Sequence, residues 1–273
     1  MFNMINKKNN IIFAHANGFP PKSYKCILND LKKQFSIHNF LLRPLTKKYS
    51  KPHKIKDWNI FCEDLEKFIL EKKINNVIGM GHSIGGNILL DRAIHNKKLF
   101  SKLILLDPTL FPPRIIFFWK FINLLKLNEK FLNLSKLAKH KKMKYNSFDE
   151  IFENYRNKKI FKNINDEILS NYIYSITKKN IDNSIEIIYS NLWEKIIYDK
   201  GLLKDNFIWQ NINGLKTPTL IIRADESTAL PYSSIKKIKN KNKSIKIHTL
   251  KETSHLFPFE KPDEVLKIIK KFI

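Results

Sequence analysis

The pentapeptide GHSIG at residues 81–85 is the stretch that decides the fold of this chain. It fits the pattern G-x-S-x-G and stands between two apolar segments. Residues 76–80, NVIGM, predict a short buried strand, and residues 86–94, GNILLDRAI, predict a helix. Strand, sharp turn and helix form the context in which this pattern presents a serine nucleophile. The whole segment therefore predicts a strand–turn–helix unit with Ser83 at the turn.

The residue types of the pentapeptide have physical reasons. A serine at such a turn takes a strained backbone conformation, and Gly81 and Gly85 let the strand and the helix approach closely. The N-terminus of the helix directs free N–H groups and the positive end of its dipole toward Ser83. These features favour chemistry in which negative charge forms beside the serine. A plain tight turn is the alternative interpretation.

Apolar segments of strand length alternate with helical patterns through about residue 108, and strand candidates return after residue 213. The strand candidates are residues 11–14, 37–42, 76–80, 102–106, 218–223 and 244–250. Residues 58–70 have apolar positions at helical spacing, and residues 262–273 predict an amphipathic helix that begins near a proline. This alternation predicts a parallel sheet with helices on both faces.

Between residues 109 and 213 the pattern changes to long helical stretches rich in lysine, asparagine and aromatic residues. We therefore predict a core formed by residues 1–108 and 214–273, with a helical cap inserted at 109–213. Residues 115–127 are the most apolar part of the cap and have a narrow stripe of polar residues. Two interpretations fit them: a lid helix over the site, or a helix that contacts lipid with its lysines toward the headgroups.

Two more segments resemble motifs of the α/β-hydrolase superfamily. Residues 15–20, HANGFP, follow the first strand and resemble the His-Gly loop, whose backbone N–H helps to form an oxyanion hole. Residues 254–258, SHLFP, resemble the loop with the catalytic histidine. Together with GHSIG, these motifs make the chain resemble the branch of the superfamily that has a cap and a serine nucleophile. The resemblance covers most of the chain. The resemblance implies an α/β fold with a mostly parallel central sheet, flanking helices and an inserted helical cap.

The resemblance also implies a catalytic site at the carboxyl edge of the sheet. Ser83 would be the nucleophile and His255 the base, because a serine hydroxyl attacks poorly unless a base takes its proton. One oxyanion donor would be the backbone N–H of Ile84. The second would come from the first loop, where alanine stands in place of the glycine that the family often has; the candidates are Ala16, Asn17 and Phe19.

The acid that would orient the histidine has three candidates. Asp107 follows the strand after the nucleophile, where some branches of the superfamily, among them certain haloalkane dehalogenases, have their acid. The more usual place is after the penultimate strand, where this chain has Asp225 and Glu226 near the expected register and Ser227 in it. We favour Asp107 over Glu226 or Asp225. As a purely structural residue, Asp107 would begin a turn with the proline that follows it.

The cap aromatics suggest an apolar acyl or aryl pocket, with core packing as their default role. They are Phe111, Phe117, Phe118, Trp119, Phe121 and Trp193. The candidate substrate-binding residues are His15, His82, Phe111 and Trp119. We expect hydrolysis of a carboxylic ester of a small apolar substrate through an acyl-enzyme. Thioester, amide and carbon–carbon hydrolysis use nearly the same constellation, and a non-catalytic small-molecule binder is a further alternative. Serine at the turn of the pentapeptide argues against epoxide hydrolases and dehalogenases, which have aspartate at that position.

The formal net charge of +25 raises the question of a nucleic-acid partner. Arginine is the residue that binds phosphate best, through two parallel hydrogen bonds, but it is scarce among the 50 basic residues. The lysines are spread along the chain rather than gathered into one patch. We therefore expect no nucleic-acid partner. Cys26 and Cys62 have no metal-binding spacing, and we expect neither a metal nor a cofactor.

The chain has no long apolar run free of charge, so no stable membrane insertion is expected. Residues 1–8 lack the basic-then-apolar pattern of a signal peptide, which predicts a cytoplasmic protein. Weak contact of the cap with a membrane surface stays open, and the sequence does not predict an oligomeric state.

Overall fold

A computed structural model describes residues 9–46, 48, 52, 54–74, 76–201, 203 and 205–273. Residues 1–8, on which the expectation about a signal peptide depends, lie outside the described residues.

The described chain forms nine strands and thirteen α-helices. The strands are β1 (Asn10–Ala14), β2 (Ser36–Phe40), β3 (Val77–His82), β4 (Phe100–Leu106), β5 (Lys144–Tyr145), β6 (Thr177–Lys179), β7 (Ile185–Ile187), β8 (Thr219–Ala224) and β9 (Lys246–Leu250). The helices are α1 (Lys25–Leu31), α2 (Asn59–Lys72), α3 (Ile84–His95), α4 (Pro113–Leu124), α5 (Asn128–Phe131), α6 (Asn133–Lys139), α7 (Phe148–Arg156), α8 (Asp166–Ile176), α9 (Asn191–Lys200), α10 (Asp205–Asn211), α11 (Tyr232–Lys241), α12 (Phe257–Glu260) and α13 (Pro262–Phe272).

Six strands form the central sheet in the order β2-β1-β3-β4-β8-β9, and every neighbouring pair is parallel. β3 and β8 are buried along their whole length, which explains why they are apolar runs without alternation. Because all six strands run in one direction, the loops that follow them meet at one edge of the sheet. This edge collects the segments after β1, β3, β4, β8 and β9.

Helices cover both faces of this sheet, as the alternating pattern predicts. One apolar core includes Leu65 of α2 and Ile88 of α3. The other includes Ile27 of α1 and Ile269 of α13. The two cores lie on opposite faces because successive side chains of a strand point to opposite sides.

The segment between β4 and β8 differs from the all-helical pattern expected for it. Besides seven helices, the described part of it has a small antiparallel sheet in the order β5-β7-β6. β6 and β7 form a hairpin whose turn is closed by the hydrogen bond from Asn180 N to Ser184 O, at 2.9 Å. Asn183 takes a φ of 63° in this turn, a conformation that asparagine tolerates better than most residues.

α10 lies within the range predicted for the cap. It packs against the cap helix α4, but also against α3 of the predicted core. Its Ile208 and Trp209 belong to the apolar core shared with α2 and α3. No helix among the described residues combines the length and the apolar character needed to cross a bilayer.

Candidate active site

Ser83 lies between the end of β3 and the start of α3, with φ of 54° and ψ of −124°. This region of backbone conformation is strained for a residue with a side chain. The two glycines of the pentapeptide make the turn compact. A Cβ at Gly85 would lie 2.1 Å from the carbonyl oxygen of Ala14, and one at Gly81 would lie 2.6 Å from the backbone of Gly85. Neither position has room for a side chain.

His255 follows β9 and lies beside Asp107, which comes directly after β4. The distance from His255 Nδ1 to Asp107 Oδ2 is 2.6 Å, and Asp107 is completely buried. A carboxylate can only accept a hydrogen bond, so the proton of the imidazole lies on Nδ1. Nε2 of His255 is then the nitrogen that can accept a proton.

A second group holds the same carboxylate oxygen. The hydroxyl of Ser227 donates a hydrogen bond to Asp107 Oδ2 and accepts one from the N–H of Ala229 at 3.1 Å. Ser227 occupies the position where the family often has its acid, so the two alternative positions for the acid converge on one point in space. The role of Ser227 in holding Asp107 was not predicted.

The other acid candidates, Asp225 and Glu226, are both exposed, and the described hydrogen bonds join neither carboxylate to His255. Asp225 instead supports the loop before the histidine. Its carboxylate accepts the N–H of Glu252 at 3.0 Å and that of Thr253 at 3.2 Å. Desolvation would raise the pKa of Asp225, but these backbone hydrogen bonds outweigh it and hold the pKa below its usual value.

The hydroxyl of Ser83 is hydrogen-bonded to Thr109 Oγ1 at 3.2 Å, rather than to His255, among the side chains that the structure describes. Catalytic hydrogen bonds are often formed only when substrate is bound. The backbone of Thr109 is held in turn by Asn87 of α3, whose Nδ2 donates to Thr109 O at 2.5 Å. Sequence reasoning missed Thr109, although its place two residues beyond Asp107 puts it at the same sheet edge.

The first loop offers one free N–H among its three candidates. Ala16 N donates to the hydroxyl of Tyr24 at 3.3 Å, and Phe19 N donates to Ala16 O at 3.1 Å. The N–H of Asn17 has no hydrogen-bond partner among the described residues. The N–H groups of Ala16 and Phe19 are thus occupied, which leaves Asn17 among the three candidates that the sequence offers. Ile84 is the first residue of α3, where an N–H has no acceptor within its own helix.

The side chain of Asn17 fixes this loop to the cap. Its Nδ2 donates to Glu194 O at 3.0 Å, and its Oδ1 accepts from the hydroxyl of Tyr189 at 2.9 Å. The hydroxyl of Tyr172 donates to Gly18 O at 3.3 Å. The position of the free N–H therefore depends on contacts with α8, α9 and the segment before α9.

Two of the predicted substrate-binding residues, His15 and His82, have their ring nitrogens occupied by the protein. His15 is fully buried, contacts Ala16 O through Nδ1 at 2.8 Å and accepts the N–H of Leu42 through Nε2 at 3.1 Å. Burial lowers its pKa to about 4. His15 does not lie on the cavity wall, contrary to the prediction of a substrate contact, because its ring supports the first loop from behind.

His82 connects the first loop to the last one. The hydroxyl of Tyr24 lies 2.8 Å from His82 Nδ1, and His82 Nε2 lies 3.0 Å from the carbonyl oxygen of His255. Because a carbonyl can only accept, Nε2 is protonated and Nδ1 accepts from Tyr24. Burial lowers the pKa of His82 well below its usual value, so the ring is neutral. Tyr24 was not identified from the sequence, since nothing in its neighbours marks it.

A cavity of about 290 Å³ opens beside Ser83 and His255. Its wall comes from the sheet edge and from the cap, and its residues include Asn17, Phe19, Trp58, His82, Thr109, Phe111, Trp119, Leu132, Leu134, Ile160, Ile197 and Tyr198. Phe111 and Trp119, two of the predicted substrate-binding residues, belong to this wall. No carboxylate belongs to the described wall, and the described residues contain no group of three or more ligands suited to a metal ion.

The remaining cap aromatics do not line this cavity. Trp193 is fully buried in the core, whereas Phe117, Phe118 and Phe121 are exposed on the outer surface of the cap. Trp193 thus has the default role of core packing. Phe117, Phe118 and Phe121 have neither role, because α4 turns only its other side, with Trp119, toward the interior.

Comparison with known proteins agrees with this architecture. Residues 47–262 match the model of the family described as "Serine aminopeptidase, S33". No curated protein matches the chain in sequence. Among solved structures, an E-2-(acetamidomethylene)succinate hydrolase has a TM-score of 0.77 at 16% identity, covering 97% of this chain and 92% of its own.

Two further solved structures are similar over nearly the whole chain. A putative hydrolase from Rickettsia typhi has a TM-score of 0.72 at 22% identity, with 97% of this chain and 88% of that chain covered. A marine microorganism esterase has a TM-score of 0.66 at 18% identity, with coverages of 97% and 95%. At such identities these likenesses show the fold, and they confirm the predicted α/β-hydrolase architecture. The family match spans well over half of the sequence, and the chain therefore belongs to the serine aminopeptidase S33 family of α/β-hydrolases.

Proposed function

We propose that this α/β-hydrolase is a serine hydrolase that cleaves a carboxylic ester of a small apolar substrate through an acyl-enzyme. The observation that carries the proposal is the 2.6 Å contact between His255 Nδ1 and buried Asp107, at a cavity that also contains the strained Ser83. Nucleophile, base and orienting acid are the three groups that this chemistry needs.

Acylation follows from these positions. The Ser83 hydroxyl leaves Thr109 and donates its proton to His255 Nε2 as the oxygen attacks the ester carbonyl. Asp107 stabilises the imidazolium and keeps its Nδ1 protonated. The negative charge that forms on the carbonyl oxygen is held by the N–H groups of Asn17 and Ile84, each worth on the order of 3 kcal/mol.

The acyl-enzyme then forms and breaks down. The tetrahedral intermediate collapses, the C–O bond to the leaving alcohol breaks, and His255 gives its proton to the alcohol oxygen. A water molecule then attacks the Ser83 ester while His255 takes its proton, and the second collapse returns that proton to Ser83 and releases the carboxylic acid.

The cavity supports an apolar ester rather than a charged substrate. Its described wall is built mainly from aromatic and aliphatic side chains, and it holds no carboxylate.

The family's description favours a second candidate, removal of an N-terminal amino acid by amide hydrolysis. That reaction requires binding of a cationic amino group, and a buried cation needs an anionic or strongly accepting partner. The marine esterase shows that the same fold supports ester hydrolysis in another protein.

Labelling with a fluorophosphonate probe tests the nucleophile. We expect the probe to modify the wild-type protein on Ser83, as read by mass spectrometry of the peptide, and to leave Ser83→Ala unlabelled. Ser101→Ala is a matched control because Ser101 is a half-buried serine at the start of β4 that donates to Val77 O. Persistent labelling of Ser83→Ala would defeat the assignment.

A substrate panel tests the bond that is cleaved. We expect kcat/KM on p-nitrophenyl esters to rise with acyl chain length until the cavity is filled, and to exceed that on amino-acid p-nitroanilides. Faster turnover of the anilides would favour the aminopeptidase alternative.

A further inference from the structure

The outer surface of the cap exposes large apolar side chains that the fold does not use. Phe117 is 78% exposed, Phe121 is 55% exposed and Leu124 is 76% exposed. These three residues of α4 are spaced i, i+4 and i+7, so they lie on one side of the helix. The other side, with Ile116, Trp119 and Ile122, is buried.

The exposed surface continues onto α5 and α6. The rings of Phe118 and Phe131 meet edge to face with centroids 6.2 Å apart, which joins α4 to α5. α6 adds Leu134 and Leu137, which are exposed and spaced i, i+3. We call this surface the cap patch; it consists of Phe117, Phe118, Phe121, Leu124, Leu125, Leu127, Phe131, Leu134 and Leu137.

The sequence around the cap patch is strongly basic. Residues 110–140 contain six lysines and arginines and one acidic residue. The basic residues are Arg114, Lys120, Lys126, Lys130, Lys136 and Lys139, and all six are exposed. An apolar surface with a cationic surround complements an anionic bilayer, where rings and aliphatic chains enter the boundary of headgroups and acyl chains while lysines reach the headgroups.

We infer that the cap patch is a docking surface for an anionic lipid bilayer. Exposed apolar patches of this kind mark interaction sites. Lysine is depleted at protein–protein interfaces, so five lysines around the cap patch favour a membrane over a second protein copy. The helices lie along the surface of the bilayer, because no described helix is able to span it.

The docking surface adjoins the cavity. Leu134 belongs to both, and Leu132 beside it also lines the cavity. Docking therefore places the cavity wall against the lipid, where apolar esters partition. This last step rests on the proposed function, whereas docking itself does not require catalysis.

Vesicle co-sedimentation of the Ser83→Ala protein tests docking independently of turnover. We expect binding to vesicles of phosphatidylcholine with phosphatidylglycerol, much weaker binding to phosphatidylcholine alone, and a several-fold loss when salt rises from about 0.1 M to about 1 M. No binding to the anionic vesicles would overturn the inference, and equal binding to both lipids would overturn its commitment to an anionic surface.

A pair of double variants locates the contact. Phe117→Ser with Leu124→Ser should weaken vesicle affinity at least about tenfold, because two large apolar groups no longer enter the lipid. The control is Leu70→Ser with Tyr232→Ser, which removes residues that are 75% and 72% exposed on α2 and α11. Both variants should melt at the wild-type temperature, since all four side chains are exposed. Equal losses in the two variants would overturn the assignment to the cap patch.

The oligomeric state tests the competing occupant of the cap patch, which is a second copy of this chain. We expect sedimentation velocity without vesicles to give the same species for wild type and for the Phe117→Ser, Leu124→Ser variant. A wild-type dimer that this variant abolishes would show that a second copy covers the cap patch, and it would overturn the membrane inference.

Discussion

Asp107 is the residue on which the geometry of His255 depends. It takes a φ of 42° directly after β4, which is uncommon for a residue other than glycine but less so for aspartate. Its N–H donates to Ile222 O at 2.7 Å, so the neighbouring strand fixes the backbone. One carboxylate oxygen receives both the imidazole and the hydroxyl of Ser227. The carboxylate is therefore held in place before any substrate enters.

Substitution of Asp107 should abolish most activity without unfolding the protein. In Asp107→Asn, the amide no longer fixes the imidazole with Nδ1 protonated, and we expect kcat on p-nitrophenyl acetate to fall about 10³- to 10⁴-fold. Asp225→Asn and Glu226→Gln are controls that keep kcat within a few-fold of wild type, because both side chains are exposed and the imidazole is hydrogen-bonded to Asp107 instead. A larger loss in either control than in Asp107→Asn would contradict the assignment.

Moving the acid to the neighbouring position should restore part of the lost activity. The hydroxyl of Ser227 is hydrogen-bonded to the carboxylate of Asp107, close to the imidazole. An aspartate side chain at position 227 would be longer than serine by about one bond. We expect Asp107→Asn with Ser227→Asp to recover at least about tenfold of the kcat lost in Asp107→Asn, since a carboxylate again faces the imidazole. A control with Thr228→Asp in the same background should recover nothing, and equal recovery there would argue against a positional effect.

Sequence patterns predict single residues where a motif or a strand end marks them. Ser83, His255 and Asp107 were located this way, and the structure brings the last two into contact. Tyr24 and Ser227 act through hydrogen bonds between segments distant in sequence, which no local pattern records. The choice of Asn17 over its neighbours likewise depends on which N–H groups other loops occupy.

At the scale of elements, the turn at Ser83 between β3 and α3 depends on close contact between α3 and the backbone of β1. A Cβ at Gly85 would overlap the carbonyl oxygen of Ala14, so Gly85→Ala forces the helix away from the sheet. We expect a loss in free energy of unfolding of about 3 kcal/mol or more, measured by urea denaturation. Gly214→Ala is the matched control, because a Cβ there meets nothing within 4 Å. Equal stability of the two variants would contradict this account.

The inner strands β1, β3 and β8 were predictable as continuous apolar runs because they are buried on both faces. The hairpin of β6 and β7 was not, since its strands have three residues each and its turn contains asparagine and aspartate instead of glycine. α10 was assigned to the cap by position alone. Its packing against α3 follows from tertiary contacts, which the order of elements does not determine.

At the scale of the whole molecule, two buried neutral histidines make stability depend on pH. Burial lowers the pKa of His15 to about 4 and that of His82 well below its usual value, whereas both take up protons near pH 6.5 in the unfolded chain. Below pH 6.5 the unfolded state binds more protons than the folded state, so stability falls as pH falls. Between pH 7 and pH 5 we expect a loss of about 2 kcal/mol for each histidine.

Urea denaturation at several pH values checks this linkage. His82→Gln should show a shallower decline in free energy of unfolding over the same range, because one of the two titrating groups is gone. The slope is the quantity to compare, since the variant also loses hydrogen bonds at every pH. An identical slope in variant and wild type would contradict the assignment of a neutral, buried ring to His82.

The pair of Tyr24 and His82 has a consequence for evolutionary drift. Replacing either residue alone leaves a buried polar atom of the other without a hydrogen-bond partner. Replacing both with apolar residues leaves the amide of Ala16 and the carbonyl of His255 without partners. Each single step away from this pair is therefore less stable than the starting point. Descendants of this protein can exchange the phenol and the imidazole only through coordinated changes in segments that lie far apart in the gene.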